Sequence, residues 1–434
     1  METFEVVGGK KLSGKITVNG SKNATVALLA AAMINRGTTT FKNVPQIEEV
    51  NRWVEILESI GVKILRKEKT LILNSPASLN IENIDQKATQ KTRSAIMLIS
   101  GLIGRAKKYF IPQVGGCKLG ERTIRPHLFA LEKLGIEIKS VATGFEVVTK
   151  NFKPVDKIVL YESGDTVTET ALIAAAQSPK KTIIKMATAN YMVQDVCFFL
   201  QKLGVKIEGI GTGTLEVIGL SQINKDVVYE ISEDPIEAMF FISVAIVTKS
   251  KLIIERCPIE FLELELLKLE KMGQKYCIIN SYKAENGKTN LVDLEIIPSK
   301  LEAPKDKLHG LPFPGINMDN LPFFIPIVSM AKGRTLIHDW SYENRAIYFV
   351  DLNRLGAKIS LLDPHRVYVE GPVDFRAAEM MSPPALRPAA IILVAMLAAP
   401  GRSILHDVYS INRGYENLEE RLQSIGAEIR MIKK

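Results

Sequence analysis

Apolar and polar positions along this chain follow one cycle that repeats six times. Each cycle ends in an amphipathic helix pattern that stops at a glycine and passes into a short β-prone run. The endings are "ESIGVKI" at Gly61, "EKLGIEI" at Gly135, "QKLGVKI" at Gly204, "EKMGQKY" at Gly273, "NRLGAKI" at Gly356 and "QSIGAEI" at Gly426. These glycines stand 69 to 83 residues apart. Val50, Trp53, Val54 and Leu57 in the first copy, and Val196, Phe199, Leu200 and Leu203 in the third, fall at i, i+3, i+4 and i+7. That spacing lines one helix face, and a glycine past the last turn supplies a left-handed cap. Upstream in every copy lies a second helical run that is apolar nearly all round. These runs are 24–33, 94–104, 170–176, 238–247, 323–331 and 389–399. A helix without a polar face has to be buried on every side. Between the two helices comes a β-prone run such as "GTTTFKNV" or "GRSILHDV".

The cycle reads strand, buried helix, strand, amphipathic helix, strand, which predicts an α/β fold. Six cycles in 434 residues are too many for one core, so two bodies of three cycles each are expected. The composition, 46% hydrophobic and 24% charged, is that of a globular protein. The longest strongly apolar run, 389–400, is shorter than the ~20 residues of a membrane span. The opening "METFEVVGGKKLSG" has neither the apolar core nor the cleavage site of a signal peptide. Cysteines 117, 197, 257 and 277 are widely spaced and form no CxxC, which points to reduced thiols and a cytoplasmic setting. Five histidines without ligand spacing give no support for a metal. The net charge of +8 is spread along the chain with no basic patch interleaved with aromatics, so nucleic acid is not an expected partner.

The repeat also organises the chemistry. Lys22 and Asn23, Arg93, Glu169, Asp234, Asp319 and Arg387 read as standing just before the buried helices. The Cys117–Arg122 loop, Arg345 in "YENR" and Arg413 in "INRG" stand before the amphipathic ones. Helix N-termini present free N–H groups and the positive end of the dipole, so cations at that phase predict an anion-binding surface. One cysteine is unusual: "QVGGCKLGERTIRPH" (113–127) sets Cys117 among glycines and the cations Lys118, Arg122 and Arg125. Cations and backbone N–H groups lower a thiol's pKa, which is what an acid or nucleophile near neutral pH requires. Asp319 reads either as a base or as a plain cap for the helix that follows.

The sixfold repeat, "NGSKNA" (19–24), "GGCKLGER" (115–122), "ENR" (343–345) and "INRGYE" (411–416) resemble the enolpyruvyltransferase family that includes EPSP synthase. The cysteine loop points to its UDP-N-acetylglucosamine branch. The resemblance spans residues 1 to 430. It implies an α/β fold of two domains, each an inside-out barrel of three repeats. The domains would be 22–231, carrying the cysteine lid, and 1–21 plus 232–434, closing around substrate. It implies transfer of the enolpyruvyl group of phosphoenolpyruvate to the 3-hydroxyl of UDP-N-acetylglucosamine, with loss of phosphate, as the committed step toward peptidoglycan. By the same resemblance Arg345, Arg387 and Arg413 hold the donor, and Lys22 and Arg122 reach its phosphate. Cys117 protonates or captures the donor carbon and is the residue fosfomycin alkylates, and Asp319 takes the acceptor's proton. Cys117, Asp319 and Lys22 are thus the catalytic candidates. Asn23, Arg93, Arg122, His127, Gly164, Thr166 and Asp319 fall on the acceptor side. No cofactor, metal or membrane contact is implied, and a monomer is expected.

The chain departs from the family pattern mostly on the acceptor side. Its "REPE" segment reads "ANYM" (189–192), with Asn190 in place of an acid. Ala385 replaces an aspartate two residues before Arg387, and Arg125 replaces an acidic residue. Asp165 adds a negative charge to the diphosphate-side loop "SGDTVTE" (163–169), and "NVPQIEEV" (43–50) replaces a basic stretch. Three readings stay open: the cell-wall enzyme, the same transfer to another nucleotide or nucleotide-sugar acceptor, and a catalytically silent binding paralogue.

Overall fold

All six punctuating glycines have positive φ, between 76° and 104°, so each sits where a side chain would strain the backbone. The computed structural model describes residues 2–115 and 123–433. It divides into two units, one of residues 20–115 and 123–232, the other of residues 2–19 and 233–433.

In the 20–232 unit three buried helical segments pack on one another: Lys22–Ala32, the 3-10 turn Arg93–Met97 continued by Leu98–Gly101, and Asp165–Ala175. The other unit repeats the plan with Pro235–Val247, Leu321–Phe323 continued by Phe324–Ser329, and Leu386–Ala398. All thirteen residues of Pro235–Val247 are buried, as a helix without a polar face requires. Sheets surround these helices, so each unit is an α/β barrel turned inside out. The 20–232 unit has two four-stranded sheets and one three-stranded sheet among the described residues, and the other unit has three of four strands.

Within a cycle the strand after the buried helix pairs antiparallel with the cycle's last strand, as Lys181–Lys185 does with Thr214–Ile218. In the third cycle the leading strand Lys157–Val159 lies parallel to Lys181–Lys185, beyond its own helix. The first and fourth cycles exchange this strand. Ser13–Thr17 leads into the first buried helix yet pairs parallel with Lys251–Pro258, while Val227–Glu230 leads into the fourth yet pairs with Thr38–Lys42. The sixth cycle is completed from the other end of the chain, because Glu2–Gly8 lies antiparallel to both Gly401–His406 and Glu428–Lys433.

Two expected helices take another form. The fifth amphipathic segment, Ala346–Leu355, is 3-10, and the sixth is split into Tyr409–Asn412 and Leu418–Ser424. The run 323–331 is likewise part 3-10 and part α, with Pro322 and Pro326 removing backbone donors there. No helix among the described residues is long and apolar enough to cross a membrane.

Candidate active site

In the 233–433 unit the site is built around one carboxylate. Asp319 lies in the turn before Leu321–Phe323. Its backbone N–H donates to Asn317 Oδ1 at 2.9 Å. Glu265, buried on the helix Glu263–Lys271, accepts from Asn317 N at 3.0 Å and Asn320 Nδ2 at 2.9 Å, which fixes the turn on both sides. Burial raises the Glu265 carboxyl, against those hydrogen bonds. Asn320, which precedes the 3-10 turn, makes no side-chain cap bond, and the two Asp319 oxygens face arginines.

Arg345 is fully buried immediately before Ala346–Leu355. Its Nε and Nη2 donate to the two oxygens of buried Asp339 at 2.5 and 2.8 Å, a fork geometry that only a guanidinium matches. Nη2 also donates to the Met318 carbonyl at 2.6 Å, and Nη1 reaches Asp319 Oδ1 at 3.4 Å. Tyr342 lies beneath, its ring centre 3.9 Å from the guanidinium carbon and its hydroxyl donating to Asp319 Oδ1 at 3.2 Å. Burial opposes the charge on Arg345, but Asp339, Tyr342 and Asp319 outweigh it and leave its pKa raised.

Arg387 is the second residue of Leu386–Ala398 and is also buried. Its Nη2 donates to Asp319 Oδ2 at 3.3 Å and its Nη1 to Tyr415 Oη at 3.1 Å. The Tyr415 ring packs on Phe240 with centroids 5.0 Å apart, and Phe240 packs on Phe323 at 5.9 Å. The arginine is thereby tied to the aromatic core. Arg413 follows Tyr409–Asn412 and is half-buried. A Cβ on its neighbour Gly414 would fall 2.4 Å from Leu386 Cδ2, so this turn abuts the start of the Arg387 helix.

Two buried arginines thus share one carboxylate at 3.3–3.4 Å, long for charge-assisted hydrogen bonds, while Asp339 saturates one edge of Arg345. The two guanidinium charges are matched by the two carboxylates, so the group is neutral as it stands, and the long contacts to Asp319 are the ones that a small anionic ligand could replace.

The 20–232 unit is different in kind. Ser21 Oγ caps the helix Lys22–Ala32 by accepting from Ala24 N at 3.1 Å, and Lys22 and Asn23 open that helix half-buried. Asn23 Nδ2 donates to Tyr191 Oη at 3.3 Å. His127, buried on Arg125–Glu132, has its Nε2 2.9 Å from Thr166 Oγ1. Gly164 is the N-cap residue of Asp165–Ala175. Asn190 caps Tyr191–Leu203, its Oδ1 accepting from Tyr191 N at 2.9 Å while its Nδ2 donates to Asp165 Oδ2 at 3.1 Å. Arg93 starts its 3-10 turn and donates to the Thr123 carbonyl at 2.9 Å.

A family model for EPSP synthase (3-phosphoshikimate 1-carboxyvinyltransferase) matches residues 6–422. The chain belongs to the EPSP synthase family. Among curated relatives it is 32% identical over 437 residues to a UDP-N-acetylglucosamine 1-carboxyvinyltransferase of Bradyrhizobium diazoefficiens, covering 99% of this chain and 98% of that protein. It is 30% identical to the protein of the same name from Treponema denticola, with all of both chains covered. Among solved structures it resembles the enolpyruvyl transferase NikO from Streptomyces tendae, with a TM-score of 0.87 at 22% identity, over 100% of this chain and 99% of that one. EPSP synthase from Acinetobacter baumannii follows at 0.77 and 19%, with both chains fully covered. These likenesses agree with the two-domain inside-out α/β barrel.

Of the sequence candidates, Asp319, Arg345 and Arg387 meet directly in one unit, and His127 meets Thr166 in the other. Cys117 and Arg122 lie outside the described residues, as does Lys118. Two positions need correction. Glu169 does not precede its buried helix, because that helix starts at Asp165 and Glu169 lies a turn inside it, 1% exposed. Burial, helped by the Asp165 charge, pushes its carboxyl well above the usual range, which favours the neutral acid. Arg387 likewise lies within its helix, whose N-cap position is the departure Ala385, which offers no capping side chain. Asp339, Tyr342 and Tyr415 were not singled out from the sequence. Two of them sit inside motifs already quoted, "YENR" and "INRGYE", whose arginines drew the attention.

Proposed function

We propose that this protein transfers the enolpyruvyl group of phosphoenolpyruvate to the 3-hydroxyl of UDP-N-acetylglucosamine, releasing phosphate, as the first committed step of peptidoglycan synthesis. The observation that carries the reading is the group of half-buried Asp319 with buried Arg345 and Arg387, a carboxylate between two guanidinium groups. The donor brings a carboxylate and a phosphate, and Arg345, Arg387 and Arg413 hold and neutralise it, with Lys22 and Arg122 on the phosphate. The acceptor hydroxyl adds to C2 of the donor and its proton passes to Asp319, while a proton reaches C3. The tetrahedral adduct then loses that C3 proton and its phosphate, which restores the C=C bond. Cys117 supplies acid or covalent capture at the donor carbon, which also makes it the target of fosfomycin. Asn23, Arg93, Arg122, His127, Gly164 and Thr166 serve the acceptor, with Asp319 at its hydroxyl. The two units act as N- and C-terminal enolpyruvyltransferase domains of a cytoplasmic monomer that binds neither nucleic acid nor membrane and supports cell-wall growth, shape and division.

A second reading, transfer to another nucleotide or nucleotide sugar, draws support from one contact. Asp165 and Asn190, two departures from the family pattern 25 residues apart, are hydrogen-bonded to each other. Paired changes of this sort fit a reshaped acceptor pocket better than independent drift.

The deciding experiment is phosphate release from phosphoenolpyruvate with UDP-N-acetylglucosamine and a panel of other nucleotides and nucleotide sugars. Release with UDP-N-acetylglucosamine that is abolished by Asp319→Asn and by fosfomycin supports the first reading. Release only with another acceptor supports the second, and no release with any acceptor overturns both.

A further inference from the structure

Tyr342 touches both halves of the charged cluster, and it is the group there that carries no charge of its own. Its hydroxyl donates to Asp319 Oδ1, the oxygen that Arg345 Nη1 also approaches, and its ring lies flat under the same guanidinium. Resting on the enolpyruvyl-transfer reading, we infer that Tyr342 is a positioning residue, holding the Asp319 carboxylate in the orientation of a base while fixing the plane of Arg345 for the anionic donor.

The chemistry demands such a part. A base surrounded only by arginines is poor, because each cation stabilises the ionised carboxylate and lowers its proton affinity. Arg345 faces Asp319 from one side and Arg387 from another. Asp339 lies behind Arg345, Tyr415 behind Arg387, and Glu265, its pKa raised by burial, lies behind the turn. When an anionic donor takes over the guanidinium N–H groups that now face Asp319, the carboxylate loses its ionic tethers. A phenol O–H keeps one oxygen in place at a lower electrostatic penalty than a cation would impose. The ring adds a second action. Cation–π stacking holds Arg345 face-on, while the Asp339 fork holds it edge-on, so both rotations of the guanidinium are restrained.

Two variants separate these actions from plain packing. Tyr342→Phe keeps the ring and removes the hydroxyl. It is expected to lower kcat about tenfold to a hundredfold, as for loss of one hydrogen bond to a charged group, and to leave KM for phosphoenolpyruvate within twofold. The acid limb of its kcat profile moves to higher pH, because the carboxylate has lost a donor. Tyr342→Leu removes the ring as well, and KM for phosphoenolpyruvate is then expected to rise. The same upward displacement should appear in the titration of the Asp319 carboxyl followed by carbon-13 NMR, assigned by its loss in Asp319→Asn. That measurement needs no turnover, so it tests the inference even if the wild-type protein proves silent toward every acceptor, which would sink only the functional reading. An unchanged Asp319 titration in Tyr342→Phe overturns the inference. So does a variant whose kcat and acid limb match the wild type.

Discussion

The two units gather their candidate side chains by opposite means. In the 233–433 unit, charge meets charge: Arg345 and Arg387 converge on Asp319, and Asp339 grips Arg345 from behind. In the 20–232 unit Arg93 meets a backbone carbonyl, the other contacts run through amide, hydroxyl and imidazole groups, Asn23 to Tyr191 and His127 to Thr166, and the carboxylate of Asp165 is met by an amide. The difference follows the ligands proposed for each. Phosphoenolpyruvate is small and dense with negative charge, so fixed cations recognise it. A nucleotide sugar confines its negative charge to the diphosphate and is otherwise neutral hydroxyl, amide and base, and directional hydrogen bonds discriminate those groups better than charge does.

The contrast can be broken by mutation, and the largest effect is expected at the shared carboxylate. Asp319→Asn should lower kcat by about three orders of magnitude, the range of a lost general base, with phosphoenolpyruvate still bound by calorimetry. If kcat falls less than tenfold, the carboxylate is structural and the charged cluster is not the reaction centre. Arg387→Ala comes next. Loss of charged hydrogen bonds to the donor predicts a rise of roughly 10- to 100-fold in KM for phosphoenolpyruvate and little change for the acceptor. Equal changes in both constants would erase the division of labour. Asn190→Ala should do the reverse at smaller scale, raising the acceptor KM up to about tenfold and leaving the donor KM alone. It also removes a helix cap worth about 1 kcal/mol, which thermal melts would register.

The smallest effect concerns stability. The raised pKa of Glu169 means that folding holds a proton the unfolded chain gives up, so this residue's contribution falls as pH climbs above the ordinary glutamate value near 4.5. Glu169→Gln mimics the neutral acid. Its urea midpoint should match the wild type at pH 4 and exceed it at pH 7. A midpoint lower than the wild type at pH 7 would mean that the carboxyl is ionised in the folded protein.

Much of this organisation was legible beforehand, because it rests on local rules. Six glycines marked six helix ends, and each proved left-handed, since a glycine's backbone freedom is a property of the residue itself. The apolar runs 238–247 and 389–399 could only be buried, and they are. The helix face was read slightly askew in the first copy, where Ile56 is buried and Val54 only partly so. Periodicity carries nothing about strand exchange, because Ser13–Thr17 would look the same whichever sheet it joined. The bracing of Arg345 was also hidden. Asp339 and Tyr342 reach it across a turn of irregular backbone, and no helical or strand period relates those positions. Asp165 and Asn190 were each visible as departures, yet their hydrogen bond depends on two helix starts coming side by side.

The placement of Glu2–Gly8 bears on how the protein comes off the ribosome. That strand is translated about four hundred residues before its two neighbours, Gly401–His406 and Glu428–Lys433. Residues 20–232 can complete their helices and sheets while synthesis continues. The strand Glu2–Gly8 meanwhile waits for both partners, and the other unit cannot finish that sheet until Glu428–Lys433 has been made. Pairing across so long a stretch of chain is intrinsically slow, because the loop has to close before the contacts stabilise it. It also makes the unpaired opening strand the segment most in need of a chaperone's cover during translation.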